Sequence, residues 1–339
     1  MVALPTSLVL LFVWSGLAAA EPVIPEGATC IPKALRPTIG RESYEQGPLD
    51  LQLALVDGTP TLCAHVKRRQ DWEDASTPQL PVGIAGCWQV DMARKRLTPI
   101  ASRLLPGLPV HTDLVNGCAQ GLCIPKATTL PDDARPMIAI NDAGDLAAIL
   151  VFHDMSQTID GYLFDPTTKK PLRTFVVEAE DLITRVVFVG DRIVAQRCKA
   201  AAHCGFRVFS TAANPPESFS LTVKNKDFTN GHLGMLAVLA PGVVGFADAG
   251  WAAFGRFDAK TSTITTVRDK RPSACARKTM DAMQVPACAR KEVDPFADAY
   301  VIATGKTFLA RLSAPRSGDL VTLGANLAER SRFNAYCAK

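Results

Sequence analysis

The five histidines are the residues of this chain best suited to acid–base catalysis or metal ligation. They form no His-Glu-x-x-His motif, and the sequence contains no Gly-x-Ser-x-Gly motif, so the signatures of a zinc peptidase and of a nucleophile elbow are missing. We interpret His153 and the adjacent Asp154 as a surface pair, and His65 as a packed or solvent-facing side chain of a strand. The sequence therefore predicts no catalytic residue, no metal ligand and no cofactor, and it favours a protein that is not an enzyme.

The cysteines offer a second kind of chemistry, and all ten of them lie after residue 20. An even number of cysteines in an exported chain predicts disulfide bonds. Short spacing favours four local pairs, and the two remaining cysteines would join the ends of the chain. The predicted pairs are Cys63–Cys87, Cys118–Cys123, Cys198–Cys204, Cys275–Cys288 and Cys30–Cys337. The alternative of zinc at Cys198, His203 and Cys204 is not favoured because these residues include no Cys-x-x-Cys pair.

A segment at about residues 269–294, which contains two of these cysteines, is the candidate binding element. It holds the five residues Ala-Cys-Ala-Arg-Lys twice, at 274–278 and at 287–291. A disulfide there would preorganise a cationic loop that could dock an anionic polysaccharide or an acidic protein surface through Arg277, Lys278, Arg290 and Lys291. The alternative, which we favour, is a solvated insertion that a disulfide closes because the insertion has no core.

The first residues predict export. Residues 8–20 are apolar or small, in a run shorter than the roughly 20 residues that cross a bilayer. Ala18 and Ala20 match a signal-peptidase site, which predicts a signal peptide over 1–20 and a mature chain from Glu21. An uncleaved membrane anchor is the alternative. No second long apolar run follows, so we predict a periplasmic or secreted protein without a transmembrane segment after cleavage.

Five segments repeat one hairpin pattern, in which a short apolar strand, a tight turn and a second strand follow each other. They are residues 53–66, 138–151, 186–195, 235–246 and 301–310. Asp, Gly or Pro at each centre tolerates turn dihedrals, and the flanks are aliphatic or β-branched, as in buried strands. We predict that Asp142, Asp165 and Asp258 stabilise turns of this pattern and take no part in catalysis or metal binding.

In four cases a second hairpin follows the first, which makes a unit of four short strands. The shorter intervals between units fit the length of propeller blades, whereas the long ones, such as that between the first two hairpins, need insertions or a degenerate blade. The chain resembles a secreted β-propeller with degenerate WD-like or TolB-like repeats over roughly residues 50–323. The Trp-Asp dipeptide of WD repeats is absent, and no subfamily is identified. The resemblance implies an all-β fold: one propeller of five to seven blades over residues 21–339, with the 269–294 segment inserted. A β-sandwich or two smaller β domains are the alternatives.

The scaffold and the charge limit the function. A net charge of +4 is far from the dense basic surface of a nucleic-acid-binding domain. A propeller without a catalytic motif favours an exported binding protein whose ligand is a protein or a carbohydrate. The first alternative is a hydrolase or lyase, which would need titratable groups from separate blades to converge at the channel mouth. The second alternative is a structural envelope protein.

Overall fold

The computed structural model describes much of the chain outside its first 23 residues. The described ranges are 24–39, 45–67, 80–125, 130–153, 156, 158–178, 182–199, 203–211, 218–221, 233–248, 254–258, 263–268, 300–312, 318–324 and 329–338. Within them the chain is built of strands, and the only helical element is one 3-10 turn, Lys33–Leu35. No helix in these ranges is long and apolar enough to cross a membrane.

The strands form five sheets of four or five strands and two small two-stranded ribbons within the described ranges. The ribbons are β1 (Thr38–Ile39) with β2 (Glu45–Gln46), and β8 (Cys118–Ala119) with β9 (Leu122–Cys123). Sheet I contains β3 (Leu49–Val56), β4 (Thr59–Val66), β5 (Gly83–Asp91) and β6 (Arg96–Ile100). Sheet II contains β7 (Val110–His111), β10 (Ala134–Ile140), β11 (Ala147–His153), β12 (Thr158–Phe164) and β13 (Pro171–Glu178).

The other three sheets follow in chain order. Sheet III contains β14 (Leu182–Val189), β15 (Arg192–Lys199), β16 (His203–Ser210) and β17 (Ser218–Leu221). Sheet IV contains β18 (Leu233–Ala240), β19 (Val243–Asp248), β20 (Phe254–Asp258) and β21 (Thr263–Arg268). Sheet V contains β22 (Tyr300–Thr304), β23 (Thr307–Arg311), β24 (Asp319–Leu323) and β25 (Glu329–Asn334).

Each of the five predicted hairpins is the first hairpin of one sheet, so the repeat was interpreted correctly. The strands pair antiparallel with the next strand along the chain. Asp57 and Gly58 connect β3 to β4 with φ angles of 51° and 73°. Positive φ at both central residues fits a tight turn whose twist matches the flanking strands.

Apolar layers between successive sheets arrange the five sheets in a ring. One buried cluster joins sheets II and III, a second joins sheets IV and V, and a third joins sheets V and I. Valines of sheets III and IV share a further cluster with residues of sheet I, and a last cluster joins sheet II to Ile84 of sheet I. The chain is therefore a β-propeller, in which the first strand of each meander lies toward the centre.

The number of blades depends on how sheet II is counted. Four sheets have four strands each, and sheet II has the same meander with the short strand β7 added at its inner edge. The four-stranded sheets alone are fewer than the five to seven blades predicted. The long stretch of chain between the first two hairpins contains an inserted segment and the β8–β9 ribbon. Within the described residues it forms no further four-stranded sheet, and so it adds no blade.

Residues 103–110, here called the central segment, run through the middle of the ring. Gly107 donates a backbone hydrogen bond to Ile140 O (2.8 Å) and accepts one from the Phe188 N–H (2.9 Å). Leu105 and Leu108 are buried in the cluster that contains residues of sheets I, III and IV. A Cβ atom at Gly107, whose φ is +77°, would lie 2.4 Å from Val238 Cγ2. Glycine is therefore required where this segment passes sheets II, III and IV, and side chains fill the central channel.

The ring closes at the junction of sheets I and V, here called the seam. Ile31 pairs in parallel with Tyr336, and the Ile31 N–H donates to Ala335 O (2.9 Å). The Cys30–Cys337 disulfide joins two residues that are 307 positions apart. This confirms the prediction that a disulfide connects the two ends of the chain.

Two further disulfides agree with the prediction. Cys63–Cys87 and Cys118–Cys123 are bonded, and in each pair the two residues lie directly opposite each other on adjacent antiparallel strands. Cys198 and Cys204 occupy the same opposed positions on β15 and β16, so the backbone register favours that bond as well. Its formation stays a prediction, as does the Cys275–Cys288 pair, which lies outside the described residues.

Candidate functional site

A buried polar cluster lies beside the central segment, and we call it the channel cluster. It contains Asp50 and Gln52 of β3, His65 of β4, His111 of β7 and Arg311 of β23. Asp50 faces His65 across the β3–β4 pair. The Gln52 side-chain amide donates to Pro109 O of the central segment (2.9 Å). Three separate parts of the chain therefore meet in one polar site.

Arg311 holds this cluster together across the seam. Its Nε–H donates to Leu51 O (2.7 Å), and Nη2 donates to Asp50 Oδ1 at 3.1 Å. The Arg311 side chain is only 6% exposed, whereas that of Asp50 is 33% exposed. The guanidinium therefore joins sheet V to the inner strand of sheet I through a charge-assisted pair and a backbone bond.

His65 is the most deeply buried titratable residue of the cluster. Its ring nitrogens contact no hydrogen-bonding partner among the described residues. Burial lowers the pKa of His65 from 6.5 to about 4, an effect that the Asp50 carboxylate opposes and that His111 reinforces. His65 is therefore neutral at neutral pH, in agreement with the interpretation of a packed side chain.

The buried neutral imidazole predicts an acid-sensitive fold. The unfolded chain binds a proton at His65 below about pH 6.5, while the folded chain does so only near pH 4. The free energy of unfolding therefore decreases progressively, by about 3 kcal/mol in all, as the pH falls from about 6.5 to about 4. We expect His65→Leu to flatten this part of the pH dependence of unfolding in urea. An unchanged slope between pH 6.5 and 4 in the variant would contradict the assignment.

The predicted turn aspartates have different partners. Asp165 accepts hydrogen bonds from the Thr167 and Thr168 N–H groups (2.7 and 2.9 Å), so it stabilises its own turn as predicted. The Thr168 and Thr167 bonds lower the pKa of Asp165. Asp258 ends β20 and also takes part in an interaction. Each of these two lies at the end of a strand, where the sequence pattern predicted a turn.

Asp142 stabilises turns of two other sheets, and not the turn in which it lies. Its two carboxylate oxygens accept the N–H groups of Gly190 and Gly242, each at 2.5 Å. These glycines lie in the first hairpin turns of sheets III and IV. Asn141 Oδ1 instead accepts the Asp145 and Leu146 N–H groups of the local turn. Asp142 therefore ties three sheets together at one end of the ring.

His153 pairs with a carboxylate of the neighbouring strand. Its Nε2 lies 3.1 Å from Asp160 Oδ2 on the neighbouring strand β12, and its side chain is 14% exposed. The sequence suggested a surface pair with Asp154, which lies outside the described residues. Strand pairing brings a carboxylate seven positions away to the imidazole, which is a contact that sequence adjacency does not predict.

An open basic cleft lies at the seam, and we call it the seam cleft. Lys33 and Arg36 border it from the first residues of the domain, and Lys95 and Arg96 border it from the β5–β6 hairpin. All four are exposed. Phe333, Tyr336 and Cys337 line it from the late residues of the chain and form the second wall, whereas Cys30 belongs to the same wall as Lys33 and Arg36. The disulfide and the Ile31–Tyr336 bridge hold the two walls at a set distance.

The seam cleft has little neutralising charge. Among the described residues, Lys33, Arg36 and Lys95 form no ion pair, and Arg96 has only a 3.7 Å contact with Asp91. Among the described residues that line the cleft there is no aspartate or glutamate. The cleft is therefore suited to an anionic ligand.

The partner-binding residues predicted from the sequence are four cations of the 269–294 segment. Arg277, Lys278, Arg290 and Lys291 lie outside the described residues. The described ranges also contain no group of three His, Cys, Asp or Glu side chains that could hold a metal ion.

The sequence alone did not identify the residues of either site. Arg311 and Asp50 are charged residues within or beside apolar strands, which is the signal that could have marked them as buried ion-pair partners. Lys33 and Lys95 carry no such signal, because isolated surface lysines are common.

The chain is similar to several solved structures at low sequence identity. No family model matches the chain, and no curated protein sequence is similar to it. Among solved structures, the periplasmic gluconolactonase PpgL of Pseudomonas aeruginosa is 12% identical with a TM-score of 0.41, and the match covers 87% of this chain and 89% of that chain. BamB of Moraxella catarrhalis is 12% identical with a TM-score of 0.27, over 85% of this chain and 71% of that chain. Prolyl oligopeptidase B of Galerina marginata is 9% identical with a TM-score of 0.39, and the match covers 85% of this chain and 51% of that chain.

Proposed function

We propose that this protein is an exported binding protein whose seam cleft holds an anionic ligand. The observation that carries the proposal is the group of four exposed cations at a cleft whose described lining residues include no aspartate or glutamate. Three disulfides fit an oxidising compartment, in line with the predicted signal peptide and a periplasmic or secreted location. Sheet II counts as a blade in this proposal, so the propeller has five blades.

The covalent closure of the ring supports binding at the cleft. Cys30 and Cys337 both line it, so one wall is joined covalently to the other. A preorganised site loses less conformational entropy when a ligand binds than a flexible loop does. The seam cleft is therefore better prepared for binding than an isolated surface cluster of the same charge.

Removing the cleft charges tests the proposal. We expect the triple variant Lys33→Gln, Arg36→Gln and Lys95→Gln to bind alginate oligosaccharides and poly-glutamate at least tenfold more weakly than wild type at low salt. The attraction of wild type should weaken at high salt, since the Debye length falls from about 10 Å at 0.1 M to about 3 Å at 1 M. Isothermal titration calorimetry at two salt concentrations measures both effects.

A matched variant controls for net charge. Lys169→Asn, Lys170→Gln and Arg173→Gln also remove three exposed cations, but from the β12–β13 turn and β13 of sheet II. We expect this variant to bind both probes as wild type does. Equal weakening by both triple variants would show that net charge alone attracts the probes, and the proposal would then be wrong.

A hydrolase or lyase is the second candidate, because the channel cluster brings Asp50, His65 and His111 together. A neutral buried imidazole could serve as a general base. However, His65 is only 2% exposed, and Arg311 engages the neighbouring Asp50. The channel cluster is therefore better suited to joining sheets than to contacting a substrate, and the binding function is preferred.

A further inference from the structure

We propose that the ligand of the seam cleft is an acidic polysaccharide that continues into a second groove lined with threonines. This inference rests on the proposed function and names its ligand class. The second groove, here called the threonine groove, adjoins the seam cleft, and Arg96 lines both. Its threonines are Thr59, Thr98, Thr304, Thr307 and Thr322.

The register of sheet V directs three of these threonines toward sheet I. Leu309 of β23 packs in the cluster shared by sheets V and I. Thr307 is two residues away on the same strand, and successive side chains of a strand alternate between faces. Thr304 lies opposite Thr307, and Thr322 lies opposite Leu309. The hydroxyl groups therefore extend the face of sheet V that borders the seam.

Two of these hydroxyl groups are held in place. Thr304 Oγ1 and Thr307 Oγ1 lie 3.0 Å apart, and Thr307 Oγ1 also donates to Thr304 O at 3.0 Å. Both side chains remain partly exposed, as does that of Thr322. Each hydroxyl group can donate one hydrogen bond and accept others, as a sugar hydroxyl does.

The distribution of charge separates a polysaccharide from an acidic peptide. In the threonine groove, Asp91 lies 3.5 Å from Arg94 and 3.7 Å from Arg96, so one carboxylate partly compensates the two cations there. Lys33, Arg36 and Lys95, which form no ion pair with any other described residue, border the seam cleft and are not among the residues that line the threonine groove. A ligand that spans both regions should carry negative charge at intervals and hydroxyl groups between. An acidic polysaccharide such as alginate carries both carboxylates and hydroxyl groups on its sugars, whereas poly-glutamate carries carboxylates and no hydroxyl groups.

A variant without these hydroxyl groups tests the inference. Thr304→Val, Thr307→Val and Thr322→Val keep β-branched side chains of similar shape, which suit a strand. We expect alginate oligosaccharides to bind this variant about tenfold more weakly, because several hydrogen bonds to sugar hydroxyls are lost. Poly-glutamate, which needs only the seam cleft, should bind the variant as it binds wild type. Calorimetric titration of both probes, with circular dichroism as a check of folding, gives the comparison.

A control variant and the possible outcomes separate this inference from the proposed function. Thr112→Val, Thr158→Val and Thr174→Val remove three hydroxyl groups outside the groove and should leave alginate binding unchanged. Full alginate binding by the groove variant would overturn the polysaccharide inference, while the cleft-charge variant still tests the proposed function. Stronger binding of poly-glutamate than of alginate by wild type would also overturn it. Binding of neither probe by wild type would overturn both proposals.

Discussion

The double variant Cys30→Ser and Cys337→Ser is expected to lose more stability than removal of a local disulfide. The bond closes a loop with a sequence separation of 307 residues. In the chain-entropy model, such a loop restricts the unfolded chain by an amount worth about 5 kcal/mol, which is an upper figure. Within the described residues sheets I and V share no strand, and besides the disulfide the backbone closes the ring through the short Ile31–Tyr336 bridge. Urea unfolding of the oxidised wild type and the variant measures the difference.

The disulfide Cys118–Cys123 provides the matched comparison. It spans a sequence separation of 5, so the same model assigns it only about 2 kcal/mol. The cysteines of both bonds are partly or fully exposed, so serine at these positions leaves little buried polar surface. If the Cys30→Ser and Cys337→Ser variant lost no more stability than a variant without the Cys118–Cys123 bond, the seam would not depend on its covalent bond.

Arg311→Met is expected to destabilise the protein by about 2–4 kcal/mol, because it removes charge-assisted hydrogen bonds of a buried guanidinium while the partly exposed Asp50 carboxylate keeps some contact with solvent. The variant would leave the Asp50 carboxylate and Leu51 O without the donors at 3.1 and 2.7 Å that the guanidinium supplies. Methionine keeps a long apolar side chain, so the loss arises chiefly from the polar contacts. The midpoint of urea unfolding measures it.

A double variant and a surface control sharpen this prediction. Arg311→Met combined with Asp50→Leu replaces both charges with apolar groups, and it should be less destabilised than Arg311→Met alone. Arg94→Met removes an exposed ion pair with Asp91, since the Arg94 side chain is 71% exposed, and it should change stability by less than about 1 kcal/mol. If Arg311→Met were as mild as Arg94→Met, the seam pair would have no role in closing the ring.

Local sequence was sufficient for the hairpins and for the nearby disulfides. The turn at Asp57-Gly58 and the apolar strands around it lie within one short segment, so propensity and alternation already determine the pairing. Cys63 and Cys87 lie on adjacent strands of one sheet for the same reason. These features depend on residues that are close along the chain.

Local sequence did not predict the hydrogen-bond partners of Asp142. Its turn was recognisable from the surrounding residues, but its carboxylate accepts N–H groups of Gly190 and Gly242, 48 and 100 residues away. Those glycines reach Asp142 only because the first hairpins of sheets II, III and IV converge on the same end of the ring. A turn pattern carries no information about such a convergence.

The sequence by itself determined the all-β class, the repeated hairpins and the disulfide between the ends, because alternating apolar strands, turn residues and cysteine count are local or countable properties. Only the tertiary structure decided what fills the centre and where the cations gather. The central segment enters the channel because Gly107 fits against Val238, and Lys33 meets Lys95 at the seam because the ring closes there. Both results depend on packing between sheets that are distant along the chain, and sequence patterns within a single hairpin do not specify that packing.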